Sequence, residues 1–240
     1  MANILLLGYG RMGKLIEKAA TDRGHLIVGR VSDTSPLTDQ QLNEADVAID
    51  FSLPHIAEGL VTRSIEAGVP VASGTTGWSS TNLKTKVDAD KSTAFLHSTN
   101  MSVGVNVVFA ANQLIAKLLG KTGGYHSSIS ETHHIHKVDA PSGTAVTLAE
   151  GVLSGMANYH SWQLKDQTDT PASNQLPIAA YREGEVFGDH EVVFDSQVDQ
   201  ISLAHHAKTR QGFAIGAVLA AEFLIGKKGV FTMSNVLGLG

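Results

Sequence analysis

The stretch NILLLGYGRMGKLIEKAA, residues 3–20, decides the fold. Asn3 to Leu7 make a short apolar run closed by Gly8, and helical spacing follows at Met12, Leu15, Ile16 and Ala19. That is a strand, a tight turn and a helix. The turn spells GxGxxG, in which Gly8 makes the turn, Gly10 lets backbone approach a pyrophosphate and Gly13 lets the helix pack closely. In a chain with 24 glycines the hexapeptide alone is a weak signal, so its setting matters.

The setting repeats the unit. A second strand, His25 to Val31, is closed by Asp33, and VAIDFS makes a third that ends at Ser52. Pro54 opens a helix read as burying Ile56, Leu60, Val61 and Ile65. VPVAS runs into GTTG, and TAFLHSTN supplies a fifth strand before a helix whose predicted buried face is Val103, Val107, Val108, Ala111, Leu114, Ile115 and Leu118. Such alternation predicts an α/β protein with a Rossmann-type parallel sheet covered on both faces. After residue 120 longer strands separated by Gly and polar turns predict a second, mixed α+β domain, inserted before a C-terminal tail that returns to the first. The boundaries expected are 1–102 plus 209–240 for dinucleotide binding and 103–208 for substrate binding and oligomerisation, with residues 155–178 a long loop. Substrate on one domain has to meet cofactor on the other, so hinges are expected near Met101 to Gly104 and Lys208 to Gly212.

Composition narrows the function classes. A net charge of −5 argues against nucleic acid or an anionic membrane as the main partner, and 42% apolar residues suffice for a buried core. No cysteine means no disulfide, thiolate nucleophile or sulfur-held zinc. The N-terminal apolar run is too short for a signal peptide, and GFAIGAVLAAEFLIG is too short to span a bilayer. A cytoplasmic protein is expected.

Asp33 lies about 20 residues beyond Gly13, where a carboxylate bonds the adenosine ribose hydroxyls. It would repel a 2′-phosphate, which predicts a preference for NADH over NADPH, blunted by Arg11 and Arg30. The cofactor contacts predicted are Gly8, Tyr9, Gly10, Arg11, Met12 and Gly13; Asp33; Gly74, Thr75 and Thr76; and Ser98, Thr99, Asn100 and Met101. The last two groups leave the carboxyl ends of strands, where ligands bind in open α/β sheets.

A second motif is ETHHIHKVDAPSGTA, residues 131–145. In a strand His134 and His136 would share a face, as paired metal ligands do, but no third ligand is evident and Lys137 adds a cation. Read instead as a helix start, Ser142, Gly143 and Thr144 offer amides and hydroxyls to a carboxylate, with Lys137 nearby. A plain Ser N-cap worth about 1 kcal/mol also fits. No metal is predicted.

With GYGRMG, DFS, SGTTG, STNMSVGVN, REGEVFGDHEVVF and FTMSNVLGL, this string resembles the dihydrodipicolinate (4-hydroxy-tetrahydrodipicolinate) reductase family from end to end. The resemblance implies a reductase of lysine and diaminopimelate biosynthesis that passes hydride from NAD(P)H to a cyclic dicarboxylate, giving tetrahydrodipicolinate and water. It assigns His133 and Lys137 to acid/base chemistry and His134, Ser142, Gly143 and Thr144 to substrate carboxylates, and implies a homotetramer. Many relatives carry Glu-Arg where this chain has Asp33 and Thr34, and Ala-Pro-Asn-Phe where it has STNM; the chain is also short between its second and third strands.

Overall fold

A computed structural model describes residues 1–165 and 172–239. They form two compact units, one of Met1–Val103 with Arg210–Gly240 and one of Gly104–Thr209.

The first unit opens as β1 (Asn3–Leu7), α1 (Arg11–Asp22), β2 (Leu26–Val31), α2 (Asp39–Glu44), β3 (Val47–Asp50), α3 (Pro54–Glu66), β4 (Val71–Ser73), α4 (Thr81–Asp90) and β5 (Ala94–His97). Local chemistry starts these helices. Thr38 and Gln41 form a reciprocal capping box at α2, and Pro54 occupies the first turn of α3, where its missing N–H has no cost.

The second unit follows as α5 (Val103–Thr122), β6 (His126–His133), α6 (Gly143–Gly155), β7 (Ser161–Leu164), β8 (Gln175–Arg182), β9 (Asp189–Asp195) and β10 (Gln200–His206). Its sheet runs β10-β9-β6-β8-β7, antiparallel through β10, β9 and β6 and parallel through β6, β8 and β7. Two expectations are corrected here. The loop expected at 155–178 contains β7 and the first residues of β8, while residues 166–171 lie outside the described ones. The face of α5 also differs, since the helix buries Val105, Asn106, Val108, Asn112 and Ala116 and exposes Val107, Leu114 and Leu118. The cause is close packing against α6: a Cβ on Gly120 would lie 2.0 Å from the Gly155 carbonyl oxygen, and Asn112 Nδ2 donates to the Leu148 carbonyl at 2.8 Å. Small and polar residues therefore make this contact, against the apolar stripe. By length and composition α5 is the one helix among the described residues apolar enough to cross a membrane.

The chain then returns to the first unit with α7 (Gln211–Leu224), β11 (Gly229–Phe231) and α8 (Met233–Leu237). The completed sheet, β11-β5-β4-β3-β1-β2, is parallel throughout. Alternate residues of β1 feed two cores: Ile4 and Leu6 meet α1 and α7, and Leu5 and Leu7 meet the side covered by α2, α3 and α4. Each such leucine contributes about 2 kcal/mol by burial. α7 packs against the segment after β5 through a bare backbone, for a Cβ on Gly216 would fall 1.7 Å from the Met101 carbonyl oxygen. Strand order reverses between β1 and β3, the place where ligands meet open α/β sheets.

Candidate active site

At the carboxyl end of β1, Gly8 has φ +97°, and a Cβ there would strike the Phe51 carbonyl oxygen at 2.4 Å. A Cβ on Gly13 would lie 2.4 Å from the Gly8 carbonyl oxygen, so both glycines are sterically required. Gly10 differs. It caps α1 with no side-chain acceptor, has nothing within 4 Å of a Cβ, and has no acidic residue in the turn it precedes. Its helix therefore presents first-turn amides to open space, the arrangement that accepts a phosphate. A cavity of about 550 Å³ adjoins it, with Tyr9, Asp33, Leu37 and Leu53 on its wall. Ile56 and Leu60 line this cavity too; Ile56 is 37% exposed rather than buried as its spacing suggested. These features fit a dinucleotide.

The cations near that cavity are unequally available. The Arg30 guanidinium is bonded to Glu17, whose carboxylate also accepts from the Tyr9 phenol, and it lies over the Tyr9 ring. Arg63 is bonded to the Leu37 carbonyl and the Asp39 carboxylate. Arg11 is exposed with no ion pair among the described residues.

Polar bonds set the neighbouring loops. Asp50 is fully buried, accepting from the Ser52 amide at 3.1 Å, the Ser52 hydroxyl at 2.6 Å and the Ser73 hydroxyl at 2.6 Å. Thr75 turns inward, its hydroxyl accepting from the Ser52 amide, and its carbonyl accepts from His97 Nε2 at 2.8 Å. A carbonyl only accepts, so Nε2 carries the proton and Nδ1 accepts from the Ser80 hydroxyl at 2.7 Å. Burial lowers the His97 pKa and keeps that neutral form. Gly74 lies against Phe51, where a Cβ would fall 2.3 Å from the ring, while Thr76 and Thr99 are exposed. Ser98 donates to the Asn100 carbonyl, Asn100 accepts from the Ser102 amide, and Met101 is 1% exposed in the core. Of the sequence-predicted contacts, the Thr75 and Met101 side chains are thus turned into the protein.

In the second unit β6 ends at His133, so His134 and His136 lie beyond the strand and the premise of a shared strand face fails. His136 is exposed and 3.6 Å from Glu185. Lys137 Nζ donates to both Asp139 oxygens at 2.7 and 2.8 Å, and the loop backbone is held by Arg182, which donates to the Lys137 and Asp139 carbonyls. α6 begins as its sequence predicts. Ser142 is its N-cap, accepting from the Ala145 amide at 3.2 Å, and Gly143 and Thr144 make the first turn. The Ser142 hydroxyl is 3.2 Å from His190 Nε2 and its residue is 3% exposed, so it faces inward rather than toward a ligand.

Beneath this helix start lies a buried ionic cluster that the sequence did not disclose, formed by Glu131, His133, His190 and Arg182. Glu131 accepts from the Ser142 amide at 3.0 and 3.2 Å. Burial alone would raise its pKa, but the bonds from His190 and Ser142 and the nearby charges overcome this and hold it down, to about 2. Desolvation lowers His133 to about 4, against the pull of Glu131, with His190, Lys137 and Arg182 adding to the lowering. At neutral pH this leaves a carboxylate beside a neutral imidazole. Ligand atoms of Glu131, His133 and His190 come within 4.8 Å of one another, as around a cation. However, the Ser142 amide already bonds the carboxylate and the Arg182 guanidinium stands 3.7 Å away, so ion pairing fills that role.

Comparison with known proteins agrees with both halves. The family model "Dihydrodipicolinate reductase, N-terminus" matches residues 2–101, and "Dihydrodipicolinate reductase, C-terminus" matches residues 104–237. A 4-hydroxy-tetrahydrodipicolinate reductase of Christiangramia forsetii is 45% identical over 236 residues, 98% of this chain and 97% of its own. That of Akkermansia muciniphila is 38% identical over 100% of this chain and 99% of its own. Among solved structures, a dipicolinate-bound dihydrodipicolinate reductase from Paenisporosarcina sp. TG-14 shares the fold with TM-score 0.76 at 20% identity, over 97% of each chain. A glycine loop at the switch point of a parallel sheet, and an SGT helix start above a buried Glu-His pair, are thus set in a chain that belongs to the dihydrodipicolinate reductase family.

Proposed function

We propose that the chain reduces 4-hydroxy-tetrahydrodipicolinate to tetrahydrodipicolinate and water, a step of lysine and diaminopimelate biosynthesis in the cytoplasm. The dinucleotide half is assigned to residues 1–102 with 209–240, and the dicarboxylate half to 103–208. The observation that carries this reading is the start of α6, a ready carboxylate acceptor set directly against His133, Glu131 and the Lys137 loop.

Bound nicotinamide supplies the hydride, delivered to a ring that is a conjugated C=N–C=C system once its hydroxyl has left as water. The first-turn amides at Gly143 and Thr144, with His134, hold the substrate carboxylates, and Ser142 shapes the turn from beneath. The negative charge left on the ring requires a proton, which a neighbouring acid must deliver. Lys137 is the donor best supported, since burial leaves His133 neutral at the pH of catalysis and suited to accept or relay a proton.

For the cofactor, Asp33 faces the cavity while Arg30 and Arg63 are committed to carboxylates, which favours NADH. Arg11 remains to attract a 2′-phosphate, so NADPH is the weaker alternative. Assembly as a homotetramer is proposed through the outward face of the second sheet, where the small residues Ser128, Ser130, Ala179, Ser202 and Ala204 surround Glu191.

The test follows NADH absorbance with wild type and Lys137→Ala, with substrate generated in place from pyruvate and aspartate semialdehyde by the preceding synthase. Loss of about 10²- to 10⁴-fold in kcat with NADH binding retained supports the reading. No wild-type turnover with either nicotinamide refutes it.

A further inference from the structure

The polar groups under the start of α6 converge on one atom pair. Glu131 Oε2 lies 3.7 Å from His133 Nδ1 and 3.6 Å from His190 Nε2, and Oε1 lies 3.7 Å from an Arg182 nitrogen. Both oxygens take the Ser142 amide, at 3.0 and 3.2 Å. Sheet register builds this cluster. Glu131 and His133 alternate by two along β6 and so share a face, Glu131 stands opposite His190 on β9, and His133 stands opposite Arg182 on β8. Exposure is 1% for Glu131, 7% for His133, 5% for His190 and 3% for Ser142, so solvent does little to screen the carboxylate.

We propose that Glu131 is a positioning residue for the reaction. Its carboxylate ties the carboxylate-binding turn to the His133 imidazole, and fixes which imidazole nitrogen carries the proton. The inference rests on the reading of His133 as an acid/base group.

The chemistry of the donors leads there. A carboxylate only accepts, so closing the 3.7 Å gap between it and Nδ1 of His133 favours the tautomer with the proton on Nδ1 and the lone pair on Nε2. Nε2 points past Gly188, where a Cβ would lie 3.1 Å away, and the glycine keeps that side of the ring open. At 3.7 Å the Nδ1 contact is an ionic approach short of a hydrogen bond, of the kind that tightens when a catalytic group binds its ligand. When Nε2 takes up a proton the imidazolium stands beside a full negative charge. Glu131 therefore makes that proton uptake accessible in a pocket where burial, His190, Arg182 and Lys137 all oppose it. The same side chain accepts from the amide of the helix cap, so one carboxylate faces both the turn and the imidazole.

Two substitutions separate the roles. Glu131→Gln keeps an oxygen for the Ser142 amide but removes the charge, while Glu131→Asp keeps the charge on a side chain too short to reach both partners. With Glu131→Gln, kcat should fall tenfold or more and the acid limb of the kcat profile should move to lower pH by one unit or more, with NADH binding unchanged. With Glu131→Asp, the limb should stay in place while KM for the dicarboxylate rises about tenfold. A purely structural role lowers the melting temperature without moving the limb. If Glu131→Gln does not fold, the Glu131→Asp result decides, and a wild-type KM there overturns the proposal. His133→Asn is run alongside. An inactive His133→Asn with a wild-type profile in Glu131→Gln defeats the Glu131 proposal alone, whereas full activity in His133→Asn defeats the His133 assignment and this inference with it.

Discussion

Acid should weaken the second unit through His133. In an unfolded chain its imidazole takes up a proton near pH 6.5, but in the fold only near pH 4, because burial disfavours the charge. Between those values the unfolded chain binds more protons. Stability contributed by this group is therefore complete above about pH 6.5 and lost as pH falls toward 4. A pKa displaced from 6.5 to about 4 corresponds to a limit of about 2 to 3 kcal/mol between pH 7.5 and 4.5, and structural relaxation reduces this toward 1. Glu131 acts lower, since a carboxylate held near 2 loses its contribution only below the ordinary carboxylate range. His205, also lowered by burial, adds a smaller slope of the same sign. Urea unfolding followed at Trp162, with Trp78→Phe to silence the other indole, reads this unit directly. Wild type should lose about 1 to 3 kcal/mol across the range, and His133→Gln should lose at least about 1 kcal/mol less. Equal slopes in the two proteins would refute the buried, neutral imidazole.

Gly13→Ala drives a methyl to 2.4 Å from the Gly8 carbonyl, and Gly8 cannot yield because Phe51 hems it in. Overpacking of about 1 to 3 kcal/mol should appear as an NADH Kd raised tenfold or more in calorimetry, and an unchanged Kd would show that this loop does not meet the phosphates. Asp33→Ser removes the carboxylate from the cavity wall; the NADPH to NADH ratio of kcat/KM should rise about tenfold, about 1.4 kcal/mol, and a fixed ratio would place the discrimination elsewhere.

What could be read in advance was local. The GYGRMG turn and the SGT cap are defined within a few residues, and the alternation of strands and helices follows from periodicity alone. The Glu131 cluster could not be read because its members lie on β6, β8 and β9, and only strand register brings His190 and Arg182 to the same point. Asp50 carried no signal of its own within VAIDFS, yet its carboxylate joins Ser52 after β3 to Ser73 at the end of β4. On α5 the apolar stripe pointed the wrong way, since Gly120, Gly151 and Gly155 let α6 approach where no side chain advertised a contact. The shared strand face of His134 and His136 failed for the reverse reason: a spacing with meaning in a strand has none in a turn.

The return of α7 to the first unit also sets an order of events during synthesis. Ala217, Val218, Ala220, Ala221 and Leu224 fill the part of one side of the nucleotide-binding core that lies over β3, β4 and β5, and β11 caps the sheet edge beside β5. A nascent chain that has reached residue 104 holds five of six strands, with α1 over β1 and β2, but leaves Ile49, Ala72 and Leu96 of β3, β4 and β5 without the helix that covers them. The missing helix emerges only after roughly 120 further residues, roughly 6 to 24 seconds at ordinary elongation rates. The middle of the chain can thus mature on the ribosome while the beginning waits for the end, and the waiting surface is the one a chaperone would meet.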